Sequence, residues 1–306
     1  MNSPAPIRTN NLTKSFGNNI AVSGLTLNIP KGELYGLVGP DGAGKTTTMR
    51  MLATIMEPSS GEAWVAGHSV LTDGERIKED IGYMSQRFGL YDDLTVMENI
   101  LFYADLYEVP QRERPERIAR LLGFSNLFPF QGRLAGKLSG GMKQKLGLAC
   151  ALIHTPEVLF LDEPTNGVDP VSRRDFWKIL YDLLKEGVTI LISTAYLDEA
   201  ERCSRIGLMH KGRILIEGEP MQVRKSLGQP MIEVWADNGR ASLERIRNMN
   251  GVVSASLYGD RLHIRHEPAT RPQDILASIV QMGIVVKDHR EILPSLEDVF
   301  ISMVEK

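Results

Sequence analysis

The chain has 306 residues, with 35 lysine and arginine residues against 38 aspartate and glutamate residues, so its formal net charge is −3. A hydrophobic share of 42% with so low a net charge excludes a disordered chain, and the lack of a basic excess argues against a nucleic-acid partner. The longest apolar run, residues 146–153, is shorter than the roughly 20 residues of a membrane-spanning helix. At roughly 150 residues per domain, the length predicts about two domains.

The first two thirds of the sequence alternate apolar strand patterns with helical patterns. Strands are predicted at residues 34–38, 158–161, 189–193 and 206–210, and helices at residues 45–53 and 173–185. This alternation is typical of a largely parallel sheet with helical crossovers, which is an α/β fold. The runs at residues 7–13 and 21–29 are predicted to add an antiparallel piece.

The pattern changes within residues 218–230, where glycines and prolines flank a short predicted helix at residues 221–226. Beyond it, strands are predicted at residues 231–236, 252–258, 261–266 and 284–290, and helices at residues 241–249 and 272–282. The resulting βαββαβ order predicts a small α+β domain of the ferredoxin-like kind, followed by a last helix at residues 295–303. We therefore predict two domains, residues 1–225 and residues 230–306.

The residues that follow the strand at 34–38 fit the pattern G-x-x-x-x-G-K-[ST] of a phosphate-binding loop. They are Gly39, Pro40, Asp41, Gly42, Ala43, Gly44, Lys45 and Thr46, with Thr47 next. Glycines let such a loop turn its backbone N–H groups toward a phosphate, and the helix that follows adds its positive end. Lys45 is predicted to contact the β and γ phosphates of a nucleotide, and Thr46 to offer its hydroxyl to Mg²⁺.

Two carboxylates, Asp162 and Glu163, end the apolar run at residues 158–161. Ligands of open parallel sheets bind beyond the carboxyl ends of the strands, so both side chains are expected at the same edge as the phosphate-binding loop. Asp162 is predicted to belong to the surroundings of Mg²⁺, and Glu163 to polarise an attacking water.

A third motif lies between these two, and it reads Leu138, Ser139, Gly140, Gly141, Met142, Lys143 and Gln144. With the three motifs in this order, residues 5–225 resemble the nucleotide-binding subunit of an ATP-binding cassette (ABC) transporter. The resemblance implies a P-loop NTPase core with an antiparallel β-subdomain and a helical subdomain. It also implies that ATP and Mg²⁺ are the ligands and that ATP is hydrolysed.

The resemblance implies further roles for individual residues. Phe16 matches the aromatic residue that stacks on adenine, and Gln86 matches the glutamine that senses Mg²⁺ and the membrane partner. Asp169 matches the loop that couples the two sites of a dimer. The motif that contains Ser139, Gly140, Gly141 and Gln144 is expected to close over the γ-phosphate held by a second subunit, which is either another copy or a different chain.

The sequence departs from the family at Ala195, where the family usually has a histidine that contacts the γ-phosphate and the catalytic water. Alanine has no hydrogen-bonding side chain, and the loss of one such contact lowers a rate by roughly 10²–10³. Thr194 is not expected to substitute, because neighbouring strand residues point to opposite faces. Three explanations stay open: a naturally degenerate site, an engineered substitution, or compensation by Glu163. Slow hydrolysis with retained ATP binding is therefore expected.

Residues 86–103 are apolar and aromatic beside acids, and in the family this region receives a helix of the membrane permease. Residues 294–300 resemble the tail of the ABC-2 subgroup, which favours an exporter. His263 and His266 are expected to form no metal site. The N-terminus has no secretory signal and the two cysteines have no ligand spacing, so we expect a cytoplasmic protein at the inner face of the membrane.

The function that these motifs predict is ATP hydrolysis that drives a membrane exporter. One alternative is a nucleotide-binding subunit with weak hydrolysis that supports a complete site on a partner. Another is a soluble ABC ATPase of translation or DNA repair, although such proteins usually carry two cassettes or a long insertion.

Overall fold

The computed structural model describes residues 4–86, 89–237 and 239–304, and it divides into two compact units between Gly218 and Glu219. The strands of the first unit are β1 (Ile7–Phe16), β2 (Asn19–Ile29), β3 (Leu34–Val38), β4 (Ser60–Val65), β5 (His68–Ser69), β6 (Ile81–Met84), β7 (Val158–Asp162), β8 (Thr189–Thr194), β9 (Arg205–His210) and β10 (Arg213–Gly218). Its helices are α1 (Lys45–Leu52), α2 (Gly74–Asp80), α3 (Val96–Leu106), α4 (Arg114–Ser125), α5 (Gly140–Leu152), α6 (Pro170–Lys185) and α7 (Leu197–Ala200), with short 3₁₀ turns at Phe128–Phe130 and Ala135–Lys137.

The central sheet has the strand order β10-β9-β3-β8-β7-β6. Strands β9, β3, β8, β7 and β6 pair in parallel, and β10 pairs with β9 in antiparallel fashion. Every residue of β3, β7 and β8 is buried, which is the burial expected of continuous apolar strands inside a parallel sheet. The carboxyl ends of β3, β7 and β8 therefore meet at one edge, and the loops after them can build one site.

The second sheet is antiparallel, with the order β2-β1-β4-β5, as the N-terminal pattern predicted. A separate layer of helices is formed by α3 and α4, which both pack on α5. Thr95 begins α3 with a capping box, in which its hydroxyl accepts from the Glu98 amide and the Glu98 carboxylate accepts from the Thr95 amide. These features agree with the predicted antiparallel and helical subdomains of a P-loop NTPase core.

The elements of the second unit are α8 (Pro220–Lys225), β11 (Met231–Ala236), α9 (Gly239–Arg247), β12 (Val252–Tyr258), β13 (Arg261–His266), α10 (Pro272–Gln281), β14 (Val286–Ile292) and α11 (Leu296–Val304). Its sheet has the order β12-β13-β11-β14 with every neighbouring pair antiparallel. This is the strand order of the ferredoxin-like arrangement that the sequence predicted. Its core is aliphatic and includes Ile232, Ile246, Ile264 and Ile279.

Helix α8 belongs to the second unit, whereas the predicted boundary placed it in the first. The helix packs against α11, and Arg224 Nε donates a hydrogen bond of 2.8 Å to the carbonyl of Pro294. This contact spans 70 residues of sequence, so the local glycine and proline pattern did not predict it.

Candidate functional site

A cleft of about 700 Å³ opens where β3, β6 and β7 end. Its lining consists of Phe16, Asn19, Ile20, Ala21, Asp41, Gly42, Ala43, Gly44, Lys45, Thr46, Thr47, Gln86, Glu163, Asn166 and Lys211. Most of the nucleotide-site residues predicted from the phosphate loop, together with Phe16, Gln86 and Glu163, thus lie around one cavity. Asn19, Asn166 and Lys211 were not predicted, because no motif marks them in the sequence.

The phosphate-binding loop is packed so tightly that two of its three glycines, Gly39 and Gly44, have no room for a side chain. A Cβ atom at Gly39 would lie 2.2 Å from the carbonyl oxygen of Met209, and one at Gly44 would lie 2.4 Å from that of Ala21. Gly44 also has a φ of 108°, which side-chain-bearing residues rarely adopt. Helix α1 begins directly after it, and the residues of its first turn, whose N–H groups have no partner within the helix, line the cleft.

Lys45 is buried and takes part in three polar contacts. Its Nζ donates to the carbonyl oxygens of Gly39 at 2.8 Å and Pro40 at 3.1 Å, and it lies 3.1 Å from Glu163 Oε1. The cation is therefore held against the backbone of the loop. The ion pair also joins the phosphate-binding loop to the carboxylate after β7.

Asp162 is 1% exposed at the end of β7. Its Oδ1 accepts from the hydroxyls of Thr46 at 3.0 Å and Ser193 at 2.7 Å. Its Oδ2 is also buried, and none of the described residues donates a hydrogen bond to it. A buried carboxylate oxygen without a donor, next to a threonine hydroxyl, fits a hard cation such as Mg²⁺, which prefers oxygen ligands.

Glu163 has an unusual backbone, with a φ of 48° in the left-handed region. Its amide donates to the backbone oxygen of Ser193 at 3.2 Å and to its Oγ at 2.9 Å, which holds this conformation in place. Gln86 Nε2 donates to Glu163 Oε2 at 3.0 Å. The amide of Gln86, predicted to sense Mg²⁺, thus contacts the carboxylate that is the candidate base.

Ala195 lines a smaller cavity of about 140 Å³ beside Glu163. Thr194 is buried, and its hydroxyl donates to Glu199 Oε2 at 2.8 Å, so it is already engaged. Asp41, predicted as part of the phosphate-binding loop, borders both this cavity and the main cleft. Ala195 contributes only a methyl group to the wall of this cavity.

Phe16 is 49% exposed at the end of β1, and Lys14 Nζ lies 5.3 Å from its ring centroid. An exposed ring at the rim of a cleft is available for stacking on a nucleotide base.

The residues predicted to act on a second subunit do not line this cleft. Ser139 caps α5 by accepting from the Met142 amide at 3.3 Å, and Asp169 caps α6 by accepting from two amides. These two contacts lower the pKa of Asp169, first through the backbone hydrogen bond from Ser172. Gly140 is exposed, whereas Gly141 and Gln144 are buried. Ser139, Gly140 and Asp169 are thus exposed at a place that does not line the chain's own cleft.

Exposed aromatic side chains mark the segment at residues 86–103. Tyr91 and Phe102 are both exposed, with ring centroids 4.7 Å apart, and Tyr103 donates a hydrogen bond of 2.6 Å to the Gly89 carbonyl. Arg87 and Phe88 lie outside the described residues. No described helix is long and apolar enough to span a membrane, and the described residues include no group of three or more metal-ligand side chains of the His, Cys, Asp or Glu type.

Comparisons with known proteins extend over both units. The family model "ABC transporter" matches residues 22–166, and the model "ATP-binding protein DrrA1-3-like, C-terminal domain" matches residues 218–304. The chain is 45% identical over 303 residues to a probable multidrug ABC transporter ATP-binding protein, YbhF, of Escherichia coli K12, covering 98% of this chain and 52% of that one. It is 33% identical to the daunorubicin/doxorubicin resistance ATP-binding protein DrrA of Streptomyces peucetius, covering 97% of this chain and 92% of that one. The chain therefore spans about half the length of the first of these relatives.

Solved structures resemble the first unit. A structure of the ATP-binding subunit of an ABC transporter superposes with a TM-score of 0.67 at 28% identity, covering 73% of this chain and 94% of that one. A dimeric post-hydrolysis structure of the ATP-binding cassette MJ0796 with ADP and Pi superposes with a TM-score of 0.63 at 28% identity, covering 70% of this chain and 98% of that one.

Proposed function

Because the chain belongs to the ATP-binding proteins of ABC transporters, we propose that it binds and hydrolyses ATP to drive an exporter of the ABC-2 type. The observation that carries this proposal is the single cleft around Lys45, Thr46, Gln86 and Glu163, in which cation, hydroxyl, amide and carboxylate share one edge of the sheet. Phe16 at the rim of the cleft supplies a stacking surface for adenine. The N-terminus of α1 and Lys45 supply positive charge for the phosphates.

Mg²⁺ fits the pair Thr46 and Asp162, with Gln86 close by on Glu163. Bound Mg²⁺ would neutralise part of the negative charge on the β and γ phosphates. The chain contributes the buried oxygen of Asp162, which has no donor among the described residues, and the threonine hydroxyl that already lies 3.0 Å from its partner oxygen.

Hydrolysis needs a water aligned with the bond between the γ-phosphorus and its bridging oxygen. In the proposed step the water oxygen attacks the γ-phosphorus, its proton passes to Glu163, and the bridging oxygen leaves with ADP. Lys45, now 3.1 Å from Glu163, would turn to the phosphates and release the carboxylate to act as base. Ala195 offers nothing to the γ-phosphate, so turnover at this cleft is slow.

The second half of each site comes from another subunit. Ser139 and Gly140 are exposed at the start of α5, where backbone N–H groups form an anion-binding end. These residues do not line the chain's own cleft, and in this proposal a second ATP-binding subunit, identical or different, supplies them.

We place the membrane permease on the aromatic surface of Tyr91, Phe102 and Tyr103, which lies in the segment that begins at Gln86. This position connects the permease to Glu163, because Gln86 donates to that carboxylate. The protein would then work at the cytoplasmic face of the membrane. Purification of the full-length chain from its own cells tests this placement: a co-purifying multi-span permease supports it, and a stable complex with ribosomes contradicts it.

Steady-state ATPase measurements test the chemistry. The wild-type protein is expected to hydrolyse ATP slowly, and Glu163→Gln to abolish turnover while ATP still binds. Glu116→Gln, which changes an exposed glutamate of α4, is the matched control and should leave the rate unchanged. A Glu163→Gln variant as fast as the wild type would exclude Glu163 as the base.

A second candidate function is suggested by Ala195: a subunit that binds ATP with little turnover and completes a better site on a different partner. Restoring the histidine separates the two. An Ala195→His variant is expected to raise the rate by about 10²-fold if this contact limits turnover. No gain from histidine would show that Ala195 is not the cause of slow turnover.

A further inference from the structure

Asn166 lies three residues after Glu163 and closes a turn onto it, since its amide donates to the Glu163 carbonyl at 3.2 Å. Its side chain is exposed in the cleft, and its Nδ2 lies 3.5 Å from Glu163 Oε2. At this distance the hydrogen bond is long. Contacts of this kind in catalytic sites commonly tighten only when substrate is bound.

Tyr196 holds the end of the Asn166 amide that lies away from the carboxylate. Its hydroxyl donates to Asn166 Oδ1 at 3.3 Å. The ionised Glu163 carboxylate only accepts, so the NH₂ of Asn166 faces it and the amide oxygen is left to accept from the Tyr196 hydroxyl. The opposite orientation would place two acceptor oxygens together.

Tyr196 is itself fixed from two sides. The guanidinium of Arg173 lies 4.8 Å from the Tyr196 ring centroid, and the backbone amide of Tyr196 donates to Thr194 Oγ1 at 3.0 Å. Arg173 and Thr194 both contact Glu199, which is fully buried. The hydroxyl that orients Asn166 is therefore attached to a buried network and not to a free loop.

The cavity beside Ala195 adds a place for the water. Its 140 Å³ are bordered by Glu163, Asn166, Ala195 and Tyr196, together with Asp41, Thr165 and Thr194. A polar cavity of this size has room for several water molecules. Glu163, its backbone held in the left-handed region, needs donors on its carboxylate to aim it at this cavity once Lys45 turns to phosphate.

We propose that Asn166, oriented by the hydroxyl of Tyr196, is a positioning residue for Glu163 that does part of the work for which Ala195 has no side chain. Asn166 and Gln86 both donate to Oε2, which leaves Oε1, now facing Lys45, as the oxygen that takes the proton from water. This inference rests on the proposed ATP hydrolysis at the same cleft.

The test compares kcat and KM for ATP in the full-length wild type and in the variants Asn166→Ala, Tyr196→Phe and the double substitution. Each single variant is expected to lower kcat about fivefold to tenfold, as for the loss of one hydrogen bond, and to leave KM within about twofold. The double variant should be no slower than the slower single variant, because both act through one contact. Tyr181→Phe is the matched control, since this equally exposed tyrosine donates to a backbone oxygen outside the cleft.

Several outcomes overturn the inference. One is an unchanged kcat in Asn166→Ala, and another is a raised KM at constant kcat, which would make Asn166 a nucleotide contact. Losses that multiply in the double variant would show independent roles. A wild-type protein no faster than Glu163→Gln would instead remove the proposed hydrolysis, and the positioning role with it, so the two failures are distinguishable.

Discussion

Gly141 lies in the second position of α5, where the helix packs on α6, and it has no space for a methyl group. A Cβ atom there would lie 2.4 Å from both Cβ and Oγ of Ser172. At Gly140, one position earlier, such a Cβ would have no described atom within 4 Å beyond its chain neighbours and its own helix backbone. A comparison of the stability of Gly141→Ala with that of Gly140→Ala therefore isolates the cost of this clash.

The magnitude follows from this difference. Alanine in place of helical glycine gains up to about 1 kcal/mol of helix propensity, and this gain is shared by the two variants. A carbon at 2.4 Å is more than 1 Å inside ordinary contact distance, so α5 and α6 must move apart, and overpacking of this kind costs about 1–3 kcal/mol. Gly141→Ala is thus expected to be at least 1 kcal/mol less stable than Gly140→Ala.

Urea unfolding followed by circular dichroism measures both variants, and substitutions of Ser172 identify the cause. Ser172→Gly removes both clashing atoms and should recover part of the loss in the Gly141→Ala background. Ser172→Ala removes Oγ but keeps the Cβ atom, so it should recover less than Ser172→Gly. Equal stability of Gly140→Ala and Gly141→Ala, within about 0.5 kcal/mol, would refute the packing argument.

Further predictions concern the buried histidine, the thiols and the phosphate loop. Burial alone would lower the pKa of His263, but its hydrogen bonds with Asp298 and Glu233 outweigh burial, so the pKa of His263 is raised. Burial alone would raise the pKa of Asp298, but hydrogen bonds from His263 and from the start of α11 outweigh burial, so the pKa of Asp298 is lowered. The stability that His263 contributes is thus fully present below its unfolded pKa of about 6.5 and is lost as pH rises through the raised value. The stability that Asp298 contributes is present above its unfolded pKa of about 3.9 and is lost as pH falls through the lowered value. Unfolding curves measured across pH should therefore show that Asp298→Asn costs most stability between these two limits, and a cost that does not change with pH would contradict the pair. Burial raises the pKa of both cysteine thiols, so a thiol reagent should label neither in the native protein and both in urea, and rapid native labelling would contradict their burial. Gly39→Ala should abolish ATP binding measured by equilibrium dialysis, because its Cβ would lie 2.2 Å from a carbonyl oxygen, and wild-type affinity would contradict the tight loop.

The sequence predicted the central sheet well because its strands are apolar without interruption. The predicted bounds at residues 34–38 match β3, since burial on both faces leaves no polar residue to confuse the pattern. Strand β7 extends one residue further, to Asp162, because the hydroxyls of Thr46 and Ser193 satisfy a carboxylate inside the sheet. A polar residue whose hydrogen-bond partners are distant in the sequence cannot be recognised as part of a strand from the residues next to it.

Residues of the candidate site were predictable where they belong to a sequence motif, and unpredictable where they meet only through contacts between distant segments. Lys45 and Glu163 follow from their motifs, and they lie 3.1 Å apart. Asn166 and Tyr196 are 30 residues apart in the sequence and meet only because β7 and β8 are neighbours in the sheet. A pattern in one segment contains no information about such a meeting.

The two halves of the proposed composite site have different fates in this chain. The half proposed to hold nucleotide has Ala195 in place of the family's histidine, whereas the half proposed to act in trans keeps Ser139 and Gly140 exposed at the start of a capped helix. In a homodimer both clefts would lack the histidine and depend on Asn166 to position Glu163. In a heterodimer, this chain would complete a partner's cleft with its α5. Ser139→Ala would then slow ATP turnover at the partner's cleft, whereas Ala195→His would accelerate turnover only at this chain's own cleft.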